Sequence, residues 1–261
     1  MHLRTLLSEV GFLKTIRAAT ALVAALVLVS KIEAGNNLPF GVGEVLTFSV
    51  RYSGIRAGTA TMSVKDTVDC NGTTCFRFVS VAKSTMPFSL FFEVCDSVES
   101  WAECSTLLSR RYEKKLLEGS YRKNEIVLFD HHGKVAIYPN DRKVELADSA
   151  RDVLAALYYV RTLNLEVGKR VFVMNHADKK NYPLEVRVLK KETIKVPAGT
   201  FECLVVEPIL KATGIFEQKG RLTVWLTNDD RRIPVMMKSK IVIGSVEAVL
   251  VDTKLDVEQV K

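Results

Sequence analysis

Residues 45–52 read VLTFSVRY, and their side chains alternate between apolar and polar types. The apolar positions are Leu46, Phe48, Val50 and Tyr52, and the polar positions between them are Thr47, Ser49 and Arg51. Successive side chains of a β-strand point to opposite faces, so this period of two predicts a strand with one buried face. Ser53-Gly54 then mark a turn, and the alternation resumes over residues 60–64. The pattern predicts a β-hairpin.

The same signals recur along most of the chain. Further strand candidates are residues 76–81, 89–101, 107–117, 124–129, 134–138, 169–176, 182–190, 200–208, 215–228, 234–242 and 244–252. So many strands rarely remain in one flat open sheet. We therefore predict a mainly β protein, built from an antiparallel curved sheet that closes toward a barrel or clasp.

One segment has helical spacing instead. Its apolar residues Val153, Leu154, Leu157 and Val160 recur every three or four positions. Ser149 can cap the N-terminus, and Asp152 in the first turn suits the helix dipole. The pattern predicts one principal α-helix over about residues 150–162, between strand-rich halves at 40–148 and 164–255. No Pro/Gly/Ser-rich linker separates the halves, so residues 35–261 are expected to form a single domain.

The start of the chain has the features of a secretory signal peptide. An apolar run, Ala18–Val29, follows Arg4, Lys14 and Arg17. The run is shorter than the roughly 20 residues that a helix needs to cross a bilayer. It predicts a signal peptide over residues 1–34, cut after Ala34 or alternatively near Ser30, and export to the periplasm. A retained membrane anchor is the alternative.

The charge of the chain bears on its partners. The formal net charge is +7, and removing residues 1–34 takes away four basic and two acidic side chains, which leaves about +5. The basic pairs are scattered among Asp and Glu and form no long run, so we expect no nucleic-acid partner. A moderately basic exported protein suits anionic surfaces such as phospholipid head groups or lipopolysaccharide. The alternative is that this charge only aids solubility.

The chain has five cysteines, an odd number for an oxidising compartment. Cys70 and Cys75 flank an Asn-Gly turn, which predicts a disulfide between them because the turn brings the two strands together. Cys95 and Cys104 are candidates for a second bridge. Cys203 has the surroundings of a buried free thiol in a strand.

Catalytic signatures are absent from the sequence. His131 and His132 are adjacent, so on a regular strand they point to opposite faces and cannot share a metal ion. We expect no catalytic residue, no metal and no other cofactor.

Polar residues around the predicted helix are the candidate ligand-binding set, namely Arg161, Tyr158, Asp96 and Asp152. Arg161 is expected at the edge of the helix–sheet interface. There it can hold a carboxylate such as Asp96 or Glu99, or an anionic ligand. An ion pair that fixes the helix to the sheet is the structural alternative, and it is the favoured one.

Three groups of short motifs occur in a characteristic order. They are Gly43-Glu44, Gly54, Ala57-Gly58, Asp96 and Glu99-Ser100; then Asp152-Val153-Leu154 and residues 157–161; then residues 196–201, Cys203, Glu207-Pro208, residues 224–227, Asp230, Pro234-Val235 and Gly244-Ser245. In this order they resemble the bacterial exported family known as domain of unknown function 3108. The resemblance implies a β-rich envelope protein without an established activity, and it supplies no catalytic residues.

These observations favour a non-catalytic periplasmic protein that binds an amphiphilic or anionic envelope component, such as a lipid or a glycan. One alternative is an envelope hydrolase that uses carboxylates near the helix. Another is a structural or assembly partner of an outer-membrane protein complex. A hydrophobic cavity would indicate the first, paired carboxylates in a cleft the second, and an exposed apolar patch the third.

Overall fold

The computed structural model describes residues 38–209, 221–240 and 244–255, so the predicted signal peptide lies outside the described residues. The described part is mainly β with one α-helix, α1, at Val153–Arg161, which confirms the predicted fold class. The strands are β1 Val45–Tyr52, β2 Ile55–Asp69, β3 Thr74–Ser84, β4 Cys95–Glu103, β5 Ser109–Glu118, β6 Tyr121–Asp130, β7 Val135–Tyr138, β8 Arg142–Glu145, β9 Arg170–Ala177, β10 Lys180–Val196, β11 Gly199–Ile209, β12 Leu222–Thr227, β13 Pro234–Lys240 and β14 Ser245–Lys254.

All fourteen described strands belong to one antiparallel sheet. Its order is β8-β7-β6-β5-β4-β3-β2-β1-β14-β13-β12-β11-β10-β9. Every neighbouring pair except β1 and β14 is consecutive along the chain. The two halves of the chain therefore join through the β1–β14 ladder, and β8 and β9 form the two edges of the sheet.

The two edges come together through polar side chains. Tyr138 in β7 and His176 in β9 are joined by a hydrogen bond of 3.0 Å between the tyrosine hydroxyl and Nε2. Asn181 donates from Nδ2 to the Glu145 carbonyl at 2.8 Å, and its Oδ1 accepts from the Ala147 amide at 3.1 Å. The sheet thus closes as a clasp, with side-chain contacts at the seam.

Helix α1 lies between the two edges in sequence and packs on β3, β4 and β9. Its buried residues join a core with the inner face of the sheet, which includes Leu46, Phe48, Phe78 and Leu250. No helix among the described residues is long and apolar enough to cross a membrane.

The predicted register of β1 is confirmed for its first half. Leu46 and Phe48 are fully buried, whereas Ser49 is also buried and Val50 only half-buried. The β1–β14 ladder shifts register between Thr47 and Phe48, and the β1–β2 ladder shifts register between Val50 and Arg51. Such a bulge turns neighbouring side chains off the strict alternation.

The elements differ from the prediction at several positions, and the differences at β4, β8 and α1 have identifiable causes. β4 begins at Cys95 rather than at residue 89, because residues 85–94 form a connection with a short 3-10 helix at Phe88–Leu90. β8 was not predicted, since its sequence is mostly charged and has no alternating pattern. Helix α1 is shorter than 150–162, because its N-cap is Asp152.

Candidate functional site

Arg161 lies in the interior and not at the edge of the helix–sheet interface, where the sequence placed it. Its residue is only 2% exposed. Nη1 and Nη2 donate to the two carboxylate oxygens of Glu44 at 2.7 and 2.8 Å, and the remaining donors reach the carbonyls of Pro39 and Arg231. The partner is thus Glu44, just before β1. The predicted partners Asp96 and Glu99 are wrong, while an ion pair that fixes the helix to the sheet is what the structure has.

Tyr158 lies one helical turn before Arg161 and is also fully buried. Its ring stacks on Phe78 with 3.9 Å between the centroids, and the Phe40 ring meets it edge-on at 4.9 Å. The Arg161 guanidinium is 5.2 Å from the centroids of both the Tyr158 and Phe40 rings. Burial, together with the Glu44 carboxylate, raises the pKa of Tyr158 above its ordinary value. Its hydroxyl has no hydrogen-bond partner among the described residues.

Asp152 joins the start of α1 to the sheet. Its Oδ1 accepts from the amides of Leu154 and Ala155 at 2.9 and 3.0 Å, which makes it the N-cap in place of the predicted Ser149. Its Oδ2 accepts from the hydroxyls of Ser100 and Ser109 at 2.6 and 2.5 Å. Burial raises the pKa of this carboxyl, and the four hydrogen bonds act in the opposite direction.

Asp96 is not close to this set in the sheet. It lies in the second position of β4, where Oδ1 accepts from the Leu117 amide at 2.9 Å. The structure therefore brings Arg161 and Tyr158 together and places Asp152 at the other end of α1. Asp96 lies near the start of β4, whereas Asp152 contacts Ser100 further along that strand. Arg161, Tyr158 and Asp152 are all buried, so ligand binding by this set stays a prediction without an exposed polar atom to support it.

The cysteines form one cluster and two isolated positions. Cys70 and Cys75 are thiols with a side-chain hydrogen bond between them. Burial is the larger cause that raises the pKa of Cys75, and this hydrogen bond is the next. The predicted disulfide between them stays a prediction. Cys104 lies next to the same turn, since its amide donates to the Thr74 carbonyl at 3.0 Å.

Cys95 and Cys104 cannot form the second bridge in this fold. Cys95 opens β4 and Cys104 follows its last residue, so the extended strand separates them by about 30 Å. Cys203 is buried in β11, as predicted, and the free state of its thiol stays a prediction.

The histidines have structural contacts. His131 begins the turn between β6 and β7, as predicted, and its Nε2 is 2.8 Å from the Ser109 carbonyl. His176 closes the sheet seam through Tyr138 and Asn181. Within the ranges that the structure describes, no three His, Cys, Asp or Glu side chains are placed to hold a metal ion.

A surface groove of about 750 Å³ runs along β9 and β10. It is open to solvent, and its lining is largely charged, with Lys169, Arg170 and Arg187 around Glu185. Arg187 pairs with Glu185 at 2.8 Å. The groove does not have the character of the hydrophobic cavity that would indicate an enclosed lipid.

Several exposed apolar side chains lie at one end of the sheet. We call it the apolar end and define it by the turn after β1, the β3–β4 connection and the turn after β5. Its exposed apolar residues are Ile55, Met86, Leu90, Phe91, Phe92 and Tyr121. Phe91 is 87% exposed and Leu90 68% exposed. Monomeric proteins rarely leave such residues together in water.

Contacts between the three segments hold them beside one another. Tyr52 and Phe88 have ring centroids 6.2 Å apart, which joins the first turn to the connection. The Gly119 amide donates to the Glu93 carbonyl at 2.7 Å, which joins the connection to the turn after β5. Gly119 has a positive φ of 58°, and a Cβ atom there would collide with the Phe92 ring. Only glycine fits this position without strain.

Basic side chains surround the apolar end. The exposed ones are Arg56, Lys83, Arg122 and Lys240. Glu93 is an exposed acidic residue of the same end, within the connection. Lys238 also lies nearby but pairs with Glu247 at 2.6 Å. The surface therefore combines apolar side chains with a predominance of positive charge.

Sequence reasoning missed the apolar end because it assigned residues 89–101 to a strand. The run from Met86 to Phe92, MPFSLFF, does contain a usable signal. Only Ser89 interrupts its apolar residues, so they do not alternate with polar ones, and Pro87 near the start disfavours a central strand. Such an apolar run in a connection between strands indicates an exposed apolar segment.

The fold and its seam define a class of β-barrel-like proteins closed around one helix. The chain belongs to the family described as protein of unknown function (DUF3108), whose model matches residues 47–251. No curated protein matches the chain.

Several solved structures match the chain at low sequence identity. A β-barrel-like protein of domain of unknown function DUF1849 from Brucella abortus has a TM-score of 0.55 and 10% identity, over 83% of this chain and 98% of that one. A candidate lipoprotein from Parabacteroides distasonis has a TM-score of 0.35 and 12% identity over the same shares. A candidate exported protein from Bacteroides fragilis has a TM-score of 0.31 and 12% identity, again over 83% and 98%. The first likeness shows the fold alone.

Proposed function

We propose that this protein is a non-catalytic periplasmic protein that binds an amphiphilic, anionic component of the cell envelope through its apolar end. The observation that carries the proposal is the exposed cluster around Phe91 with basic side chains beside it. Apolar side chains suit the acyl chains of such a molecule, and Arg56 and Arg122 suit its negative head group.

The charge beside the apolar end favours this function over assembly with an outer-membrane protein. An exposed apolar patch was the feature expected of an assembly partner, but taken alone it fits a lipid as well as a protein. Arginine, methionine and aromatic residues are enriched at protein interfaces too, but lysine is depleted there, whereas Lys83 and Lys240 are exposed beside the apolar end. An anionic amphiphile matches both parts of this surface.

The hydrolase alternative has less support. A hydrolase of that kind needs two carboxylates that reach the substrate from a cleft. The carboxylates nearest the helix are Glu44 and Asp152, and both are buried with their oxygens occupied by internal donors.

Native mass spectrometry tests the proposal. The protein recovered from the periplasmic fraction is titrated with dihexanoyl phosphatidylglycerol or, in parallel, with dihexanoyl phosphatidylcholine. We expect adducts of the anionic lipid, fewer of the zwitterionic lipid, and a loss of both in Phe91→Ser. The matched control is Phe172→Ser, an exposed phenylalanine on β9 away from the apolar end. Equal adducts in the two variants would refute binding through the apolar end.

A further inference from the structure

We infer that the apolar end docks on the surface of an anionic phospholipid bilayer, with the strand ends pointing into the membrane. This inference rests on the proposed function and names its partner. The apolar side chains lie on the β3–β4 connection and at the first residues of β2 and β6, so they project from one end of the sheet. A projecting surface is covered more completely by a bilayer than by one lipid molecule.

The three segments project from the same end of the sheet, as the strand register shows. β1 and β2 turn at Ser53-Gly54, and Gly58 in β2 lies opposite Ser84 at the end of β3. Val94 at the end of the connection bridges to Glu118 at the end of β5. A single plane can therefore contact all three segments.

The order of apolar and basic residues along the chain matches the layers of a bilayer surface. Arg56 follows Ile55 directly and Arg122 follows Tyr121 directly, while Lys83 lies three residues before Met86. Three residues of extended chain span about 10 Å, which is comparable to the 5–10 Å depth of the head-group boundary. Apolar side chains can then reach the acyl boundary while the basic ones remain among the phosphates.

Glu93 is the residue of the apolar end that opposes this arrangement. It is exposed within the connection, next to Phe92, and its contact with Gly119 uses only its backbone carbonyl. Its negative side chain repels an anionic membrane without supporting the fold. Neutralising it should therefore strengthen membrane binding, an effect that a purely structural role would not give.

Vesicle flotation tests the inference with the protein as recovered from expressing cells. The vesicles contain phosphatidylcholine alone or equal parts of phosphatidylcholine and phosphatidylglycerol. We expect Phe91→Ser to weaken partitioning about tenfold on the mixed vesicles, from the loss of one buried aromatic side chain. We expect Arg56→Gln to weaken it about fivefold, and only where phosphatidylglycerol is present. Glu93→Gln should strengthen it, and added salt should reduce the phosphatidylglycerol-dependent part.

Two control variants, Phe172→Ser and Lys195→Gln, change exposed residues away from the apolar end and should bind like the unmodified chain. All variants share one N-terminus, so differences between them report on the apolar end. If vesicle binding is unaffected by Phe91→Ser and Arg56→Gln, bilayer docking by this end is refuted. If dispersed anionic lipid still forms adducts in the mass spectrometer while vesicles do not bind, the inference fails and the proposed function stands. If neither lipid form binds, both fail.

Discussion

At the scale of single residues, the buried Arg161–Glu44 ion pair affects the stability of the interior. Removing two charges from water is costly, and this cost is offset only when geometry is good and the remaining donors are satisfied. Here the contact is bidentate, and the carbonyls of Pro39 and Arg231 accept the other guanidinium protons. The sequence pointed to Arg161 as a clamp, but its partner is 117 positions away and no local pattern identifies it.

Replacement of Arg161 tests this pair. We expect Arg161→Ala to lower the free energy of unfolding by about 3–5 kcal/mol, because it leaves the Glu44 carboxylate buried without a partner. Arg161→Lys should also destabilise, since lysine keeps the charge but loses the planar fork. Urea denaturation measures both. The exposed Arg187, which pairs with Glu185, is the control, and Arg187→Ala should cost about 1 kcal/mol or less. Equal losses at the two positions would contradict the assigned role.

His176 predicts a pH dependence of stability. In the neutral ring, Nδ1 donates to the side-chain amide oxygen of Asn181 and Nε2 accepts from the Tyr138 hydroxyl, whereas a protonated Nε2 could not accept. Burial lowers the pKa of His176 from its ordinary value of 6.5. The unfolded chain then binds more protons below about pH 6.5, so the stability from this residue is complete above that pH and declines as the pH falls toward the lowered pKa.

Thermal unfolding between pH 5 and 7.5 checks this expectation for the unmodified chain and for His176→Gln. The midpoint of the unmodified chain should fall more steeply on acidification than that of the variant. His131 also has a lowered pKa from burial, so its share of the acid sensitivity should remain in His176→Gln. Parallel pH profiles would show that His176 does not contribute.

At the scale of elements, local sequence signals predicted that a helix or strand is present better than they predicted where it begins and ends. The helix was found from the spacing of Leu154, Leu157 and Val160, but its cap was assigned three residues too early. Ser149 and Asp152 are both good N-caps by residue type. The choice between them comes from the hydroxyls of Ser100 and Ser109, which lie on β4 and at the start of β5 and are invisible to any local pattern.

The cap assignment can be decided with two alanine variants. Asp152→Ala should lower the free energy of unfolding by about 2 kcal/mol or more, because it removes the cap and leaves buried hydroxyls unpaired. Ser149→Ala should change it by less than about 0.5 kcal/mol, the usual effect of a surface substitution. Guanidinium denaturation followed by circular dichroism gives both values. A larger loss in Ser149→Ala would restore the original assignment.

The turn between β2 and β3 predicts a disulfide in the oxidised protein. Cys70 and Cys75 are within side-chain contact, and formation of the bridge should add about 2 kcal/mol or less because the closed loop is short. Alkylation of the unfolded, unreduced protein followed by peptide mapping tests it. Free thiols at both positions would refute the bridge, and a Cys70–Cys104 peptide would show that the neighbouring thiol competes.

At the scale of the whole molecule, the alternating pattern predicted the sheet, and the strand count predicted its closure. The manner of closure could not be predicted, because Tyr138 and His176 are 38 positions apart, with β8 and the helix between them, and no local pattern pairs their side chains. The apolar end was missed for a related reason. Sequence patterns assign apolar residues to buried faces, whereas Phe91 and Leu90 are left exposed by the connection that carries them.

Export is the prediction that concerns the whole chain. We expect N-terminal sequencing of protein from the envelope fraction to begin after Ala34. Leu26→Arg should retain the uncut form in the cytoplasm, because a charge in the apolar run opposes insertion. Leu189→Arg, at an exposed position of β10, is a control that should leave processing unchanged. An envelope protein that still begins at Met1 would contradict the prediction.

The β1–β14 ladder has a consequence for how the chain folds. Every other ladder joins strands that follow each other, so these hairpins can form early from nearby residues. The pairing of Val45 with Lys254 instead closes a loop of about 200 residues, which makes it the contact of greatest sequence separation. A circularly permuted chain that starts at β9, connects β14 to β1 and ends after β8 with α1 would convert the sheet into an uninterrupted meander and keep the helix. Its lower contact order would speed the slowest pairing step while leaving the same native neighbours in place.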